Sequence, residues 1–211
     1  MLNVLYIHGM GGGGDSRIPS ILRDLLADKN INVTVRTYDF DPEKAAVQID
    51  SWMTELQPAL VIGESLGSIH ALRIKGVPHI LISPSINAPF VLGHLAWMAL
   101  IPGVTWLLDK IYMPRPGDRQ KLHFSYATLS KYVRHGKEAL ANSTRSGSKD
   151  FHFAFFGTKD HYRRTGIVSV RTWKKYYGDT FMIYDGTHFT EEEHIQGKIL
   201  PLILKVLDIK E

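Results

Sequence analysis

The sequence predicts an α/β fold, a mostly parallel sheet with helices on both faces. Short apolar runs at residues 2–7, 59–62, 79–83, 151–156 and 180–184 have the profile of strands buried on both sides. Segments with apolar residues at helical spacing stand between most of them. Chemically capable side chains fall just past the ends of these runs, where open parallel sheets bind their ligands. The 211 residues suit one domain with a sizeable core, and 44% hydrophobic with 22% charged residues is ordinary for a soluble globular chain.

Taken in order, the first strand runs into His8-Gly9-Met10-Gly11-Gly12-Gly13-Gly14. A helix is expected over about 19–29, with Pro19 in its first turn and Ile18, Ile21, Leu22, Leu25 and Leu26 on one face. Residues 31–38 alternate Ile31, Val33 and Val35 with Asn32, Thr34 and Arg36, an outer strand with one wetter face. Asp41-Pro42 reads as an N-cap with proline at the first helical position, and Ala45, Ala46, Ile49, Trp52, Met53 and Leu56 continue that helix. The run 59–62 then meets Gly63-Glu64-Ser65-Leu66-Gly67, a helix-like stretch over 66–75 and a strand over 79–83.

From about 86 to 149 the alternation is suspended. It resumes with the strand ending in Gly157-Thr158-Lys159-Asp160, a helix over about 165–177, and a last strand ending in Asp185-Gly186-Thr187-His188. Thr190-Glu191-Glu192-Glu193 reads as a capping box for a C-terminal helix that Pro201 should kink or interrupt.

The net charge of +4 and pI of about 9.2 are mildly basic, with no dense Lys/Arg stripe interleaved with aromatics, so nucleic acid is not an expected partner. A mild bias toward anionic substrates or surfaces is left. The absence of cysteine excludes a thiol nucleophile, disulfides and thiolate metal sites. Met1-Leu2-Asn3 enters the first strand with no signal-like segment, which reads as cytoplasmic.

Gly63-Glu64-Ser65-Leu66-Gly67 after a strand and before a helix fits a nucleophile elbow, in which a strained turn lifts the serine above the sheet. A serine hydroxyl needs a base and oxyanion stabilisation, and a plain turn containing serine has neither. The order Ser65, Asp160, His188 supplies a nucleophile, an acid and a base. His188 is placed to take the Ser65 proton, and Asp160 to fix the imidazole tautomer. Asp185, Asp39 and Asp41 are the rival carboxylates; Asp185 reads as a turn residue before Gly186, and His161 as a surface neighbour of the acid. The backbone N–H groups of Met10 and Leu66 are the expected oxyanion donors, with His8 a structural pin for the loop.

A rival pattern, Gly9-x-Gly11-x-x-Gly14, matches a dinucleotide fingerprint, and Asp39 stands where a ribose-binding acid would fall. Against it, the helix begins too late for Gly14 to pack in its first turn, and four consecutive glycines satisfy many glycine patterns. A Walker-type phosphate loop fails because Asp15-Ser16 stands where Lys-Ser/Thr is required.

Taken together, His8-Gly9-Met10, Gly63-Glu64-Ser65-Leu66-Gly67, Gly157-Thr158-Lys159-Asp160 and Gly186-Thr187-His188-Phe189 resemble the α/β-hydrolase superfamily. Within it the chain looks like the small bacterial serine esterases of the YqiA type, with Tyr162-Arg163 after the acid similar to that group. The four consecutive glycines depart from the longer, more varied loop usual there. The resemblance implies one α/β-hydrolase domain over 1–211, a helical cap inserted over 86–149, and esterase activity.

The first half of that insertion is apolar, with Phe90, Leu92, Leu95, Trp97, Met98, Leu100, Trp106 and Leu107, but Gly93, His94, Pro102 and Gly103 break it before it could span a membrane. Two short helices over the site are expected, with membrane-surface contact a lesser alternative. The second half, with Lys131, Arg134, His135, Lys137, Arg145 and Lys149, reads as a solvated cap face or mobile loop. The expected reaction is hydrolysis of a small-molecule carboxylic ester, or else a thioester or amide, with an apolar acyl group and without metal or cofactor. The reading from another class is a binding or scaffold protein with an idle triad.

Overall fold

In the computed structural model, which describes residues 1–209, six strands form one wholly parallel sheet. β1 (Leu2–Ile7), β2 (Ile31–Val35), β3 (Leu60–Glu64), β4 (His79–Ile82), β5 (His152–Gly157) and β6 (Phe181–Tyr184) lie in the order β2-β1-β3-β4-β5-β6. The chain steps outward from β1 to β2 and returns past β1 to β3. The switch point therefore lies between β1 and β3, and the loops leaving their carboxyl ends flank it.

Successive side chains of a strand point to opposite faces, and the two faces have separate cores. Leu5, Ile7, Val61, Leu81, Ala154 and Phe156 pack on one side with residues of α2 (Pro42–Leu56), α3 (Gly67–Ala71), α6 (Tyr126–Ala141) and α7 (Val170–Tyr177). Val4, Tyr6, Ile62, Ile80, Ile82 and Phe155 pack on the other with α1 (Arg17–Leu26) and α9 (Leu200–Val206).

Several boundaries move from their expected places. α1 starts at Arg17, so Pro19 stays within its first turn, where its missing N–H costs nothing. β2 ends at Val35, the partner of Tyr6 in β1, which frees Tyr38 to donate to His8 O at 2.6 Å. α3 is only five residues long. α7 begins at Val170, where Ser169 caps it by accepting from Thr172 N–H.

Thr190 does not cap the C-terminal helix. Its hydroxyl is hydrogen-bonded to the Tyr184 hydroxyl at 2.7 Å, and Glu191 takes the cap position before α8 (Glu192–His194). The interruption expected at Pro201 is moved upstream. A π-helical turn, Ile195–Ile199, widens the backbone before α9, which makes room for a proline ring that would otherwise meet the Gly197 carbonyl.

Between β4 and β5 the chain forms α4 (Ala88–Met98), α5 (Val104–Ile111) and α6. The second half is not a solvated face. Leu129, Tyr132 and Ala139 of α6 are wholly buried in the core shared with β1 and β3, and the Tyr132 hydroxyl donates to Phe40 O at 2.8 Å. Its basic residues dock the helix. Lys131 Nζ lies 2.6 Å from Asp41, and Arg134 lies 2.6 Å from Glu43, at the start of α2. No helix among the described residues is long and apolar enough to cross a membrane.

Burial in these cores pushes imidazole pKa values down, to about 4 for His8 and to about 3 for His70 and for His79. Both ring nitrogens of His70 and His79 lack a protein hydrogen-bond partner. The unfolded chain takes up protons at these rings from about pH 6.5 downward, whereas the folded chain resists until about pH 3 to 4. Stability is therefore complete above pH 7 and is lost with acidification, at about 1.4 kcal/mol per pH unit for each ring. Thermal melts at a series of pH values should give a level midpoint at neutral pH and a steep fall below pH ~6. A midpoint unchanged down to pH ~5 would contradict neutral burial of these rings.

Candidate active site

Ser65 stands at the tip of β3 with φ 49, in the left-handed region, which costs a residue with a Cβ about 1–2 kcal/mol. Its backbone is tied down on both sides. The N–H donates to Ile82 O at 2.9 Å, and its carbonyl accepts from Ser68 N–H at 3.2 Å and Ser85 N–H at 3.1 Å. The glycine two residues on makes the turn possible. A Cβ on Gly67 would lie 2.3 Å from His8 O and 2.4 Å from Ile7 O, so the elbow is pressed onto the end of β1. Gly63 is closed off in the same way by Ala71 and Ser68 of α3.

Ser65, His188 and Asp160, 123 residues apart at the extremes, meet in one chain of hydrogen bonds. His188 Nε2 lies 2.9 Å from Ser65 Oγ, and His188 Nδ1 lies 2.8 Å from Asp160 Oδ2. With Nδ1–H donating to the carboxylate, Nε2 is left as the acceptor for the serine hydroxyl. The second Asp160 oxygen accepts from Tyr162 N–H at 2.8 Å. Asp160 is 2% exposed. Burial alone would raise its pKa, but the hydrogen bond and charge of His188 and the Tyr162 N–H outweigh it and hold the carboxyl below its ordinary value.

The loops bearing the acid and the histidine support each other. Lys159 N–H donates to Gly186 O at 2.9 Å, and Gly157 packs so closely on Gly186 and Thr187 carbonyls that a Cβ there would overlap them. The Tyr162 ring meets the His188 ring edge-on, with centroids 4.6 Å apart. The other aspartates lie elsewhere. Asp185 is exposed and paired with Lys159 at 2.9 Å, and Asp39 accepts from Asp41 N–H beside α2. His161 is exposed, with its ring against Tyr162.

The glycine loop is committed elsewhere than to a phosphate. Gly12 N–H donates to Gly9 O, Gly11 N–H to Gln120 Oε1, Gly13 N–H to Ser16 Oγ and Gly14 N–H to Thr37 Oγ1. Residues 117–120 lie across the loop. A Cβ on Gly13 would sit 1.7 Å from Asp118 O, and one on Gly14 would sit 2.1 Å from the Asp118 carboxylate. The N–H groups of Gly11 to Gly14 already have protein partners, and Asp118 lies against Gly14, where the third glycine of the dinucleotide pattern would pack helix on strand, which removes the basis of that reading. His8 acts as the pin expected of it. Its Nδ1 donates to Gly9 O at 2.7 Å, and its ring stacks on Tyr38. Among the described residues, the N–H groups of Met10 and Leu66 donate to no protein acceptor.

Ser65 and His188 lie at one wall of a cavity of about 690 Å³ that Met10, Ile18, Tyr112, Met113, Leu122 and Phe189 also line. Three participants escape sequence reasoning. Ser85 Oγ lies 3.2 Å from Ser65 Oγ. Arg17 donates to Phe189 O at 2.6 Å and to Thr190 O, clamping the histidine loop. Tyr6 donates to the Glu64 carboxyl at 2.8 Å. The only available signal was position just past a strand for Ser85, and none marked Arg17 or Tyr6. No three His, Asp or Glu side chains gather as a metal site among the described residues.

No protein-family model matches the sequence, and no curated protein is similar to it in sequence. Solved structures are similar in fold. A monoacylglycerol lipase from Paleococcus ferrophilus superposes with a TM-score of 0.67 at 18% identity, over 98% of this chain and 94% of that one. Est1E from Butyrivibrio proteoclasticus, solved with ferulic acid bound, gives 0.66 at 15% identity, over 99% and 90%. A thermophilic esterase from Thermogutta terrifontis gives 0.64 at 15% identity, over 98% and 90%. The chain has the α/β-hydrolase fold.

The elbow contact makes a stability prediction. Gly67→Ala forces a methyl into two carbonyl oxygens and should cost about 3 kcal/mol or more. Gly76→Ala, at positive φ but with nothing within 4 Å, should cost only about 1 kcal/mol. Urea midpoints read the difference, and equal losses would mean that the elbow does not bear on β1.

Proposed function

We propose that the protein is a serine hydrolase of carboxylic esters. The observation that carries this reading is the unbroken chain Ser65–His188–Asp160, with the serine on a strained turn at the wall of a largely apolar cavity. Ser65 Oγ attacks the ester carbonyl carbon while His188 Nε2 takes its proton. The same proton then passes to the departing alkoxide, which leaves as an alcohol and leaves an acyl group on Ser65. Water, deprotonated by His188, attacks the acyl carbon, the serine recovers its proton and the carboxylic acid departs.

Asp160, its charge favoured by hydrogen bonds, holds the imidazole in the required tautomer and stabilises its cation. The N–H groups of Met10 and Leu66 receive the oxyanion at both tetrahedral stages. No step calls for a metal or an organic cofactor.

The apolar lining favours a small-molecule substrate with an apolar acyl group; a thioester or amide would follow the same steps. The domain is proposed as a single α/β-hydrolase unit in which the excursion after β4 serves as the cap. The four motifs support kinship with YqiA-type esterases, and the esterases and the lipase among the structures of similar fold support the same chemistry.

Ser65→Ala should lower turnover of a p-nitrophenyl ester by about a millionfold. Asp160→Asn should lower kcat by about ten-thousandfold by leaving His188 in the wrong tautomer. A fluorophosphonate probe should modify Ser65 covalently. A folded protein that never labels, or a Ser65→Ala variant that keeps most of its turnover, would favour an idle, ligand-binding site instead.

A further inference from the structure

Of the eighteen large apolar side chains that stand exposed among the described residues, eleven fall between residues 90 and 113, on α4, α5, the turn joining them and the two residues that follow α5. Apart from the exposed His94, α4 is apolar all round. One side packs Ala88, Pro89, Leu92 and Ala96 into the protein, while Phe90, Trp97 and Met98 face outward. No residue of α5 is fully buried, and Leu108 packs only partway against the core. It is held by polar tethers, Thr105 Oγ1 to Ala99 O and Phe124 O, and the Asp109 carboxylate to Phe124 N–H. At the turn, around Gly103 with φ 88, Ile101 is 57% exposed, and on either side Trp97 and Trp106 are 66% and 65% exposed. A contiguous apolar surface of this kind marks an interaction site.

The charges around it select the occupant. Between residues 86 and 115 the sole acidic side chain is Asp109, and both its oxygens are occupied, one by Phe124 N–H and the other by His123 Nδ1 at 2.8 Å. The cations there face outward. Lys110 is exposed with its ammonium 5.1 Å over the Trp106 ring, and Arg115 is exposed at the end of the same segment. Indole rings beside aliphatic side chains, with Lys110 and Arg115 exposed at the end of the segment and no free carboxylate between residues 86 and 115, suit the interface of an anionic bilayer. The two helices, eleven and eight residues long, are of a length to lie in that interface and not to span it.

We infer that the α4–α5 hairpin docks on the surface of an anionic lipid bilayer. Tyr112 and Met113 continue the exposed face and also line the cavity beside Ser65, so docking brings the mouth of the site to the lipid surface.

The test uses the full chain with vesicles of phosphatidylcholine alone and of phosphatidylcholine mixed with phosphatidylglycerol. The protein should sediment with the mixed vesicles and its tryptophan emission should shift to the blue. Ile101→Glu and Trp106→Glu, both at exposed positions outside the cavity, should each lower partitioning about tenfold or more while the thermal midpoint stays unchanged. Lys110→Ala should reduce the preference for the anionic vesicles about fivefold. Ser65→Ala should bind as the unaltered chain does, which separates this inference from the proposed hydrolysis. Protein that stays in the supernatant, or that partitions equally to both vesicles, overturns it. So does a solution dimer that Ile101→Glu dissociates and that binds no vesicle, which would assign the face to a second copy.

Discussion

The site depends on a steric constraint, the contact of Gly67 with the carbonyls of Ile7 and His8. β1 and β3 are neighbours in the sheet because the chain reverses direction across it at this point. Only when the turn after β3 settles onto the end of β1 does Ser65 stand beside the loop that carries Met10. That contact leaves no room for a Cβ at Gly67, and the turn forces Ser65 to positive φ. The strain is held by three backbone hydrogen bonds, to Ile82, Ser68 and Ser85, from two other elements. The placement of Ser65, of the Met10 loop beside it and of Ser85, just past β4, against its hydroxyl thus follows from one packing event.

Much of this was legible in the sequence because it is written in local patterns. Buried parallel strands appear as continuous apolar runs, and the elbow, acid turn and histidine loop each sit on a strand end with their turn residues beside them. The order of Ser65, Asp160 and His188 could be read without knowing the strand order. What was not legible is contact between distant segments. Nothing in the local composition ties Gly13 to Asp118, or Arg17 to the carbonyls of residues 189 and 190. The glycine run shows the cost of this. It mimics a nucleotide fingerprint, yet Gly13 and Gly14 are required by a strand of chain about a hundred residues away. Thr190 was misassigned for a related reason: a capping box is a statement about backbone neighbours, and the Tyr184 hydroxyl competed for the same side chain.

The excursion after β4 divides into two physical types that composition confused. α6 is studded with cations, of which Lys131 and Arg134 pair with Asp41 and Glu43, while its Leu129 and Tyr132 complete the main core. α4 and α5 are the apolar half, and they are the half that stays exposed. A charge run was therefore the docked helix and an apolar run the open surface. The distinguishing feature is partnership, since a lysine next to a helix N-terminus with two carboxylates is anchored, whereas α5 and the outer side of α4 turn their apolar residues to solvent.

Two carboxyls approach His188, and their surroundings assign them different parts. Asp160 is buried and Glu64 half-buried beside the cavity, and desolvation raises the pKa of each before any other effect. Asp160 then accepts from His188 and from Tyr162 N–H, enough to carry its pKa below the ordinary value. Glu64 receives the Tyr6 hydroxyl and the more distant charges of His188 and Arg17, and these do not overcome desolvation, so its pKa stays raised. The imidazole thereby has in hydrogen-bonding contact with Nδ1 the carboxyl whose charged form is favoured. Had Glu64 competed equally, the ring would have a second pull on the side of the serine. In the proposed hydrolysis this asymmetry keeps Asp160 behind the ring while His188 moves a proton between Ser65 and the substrate.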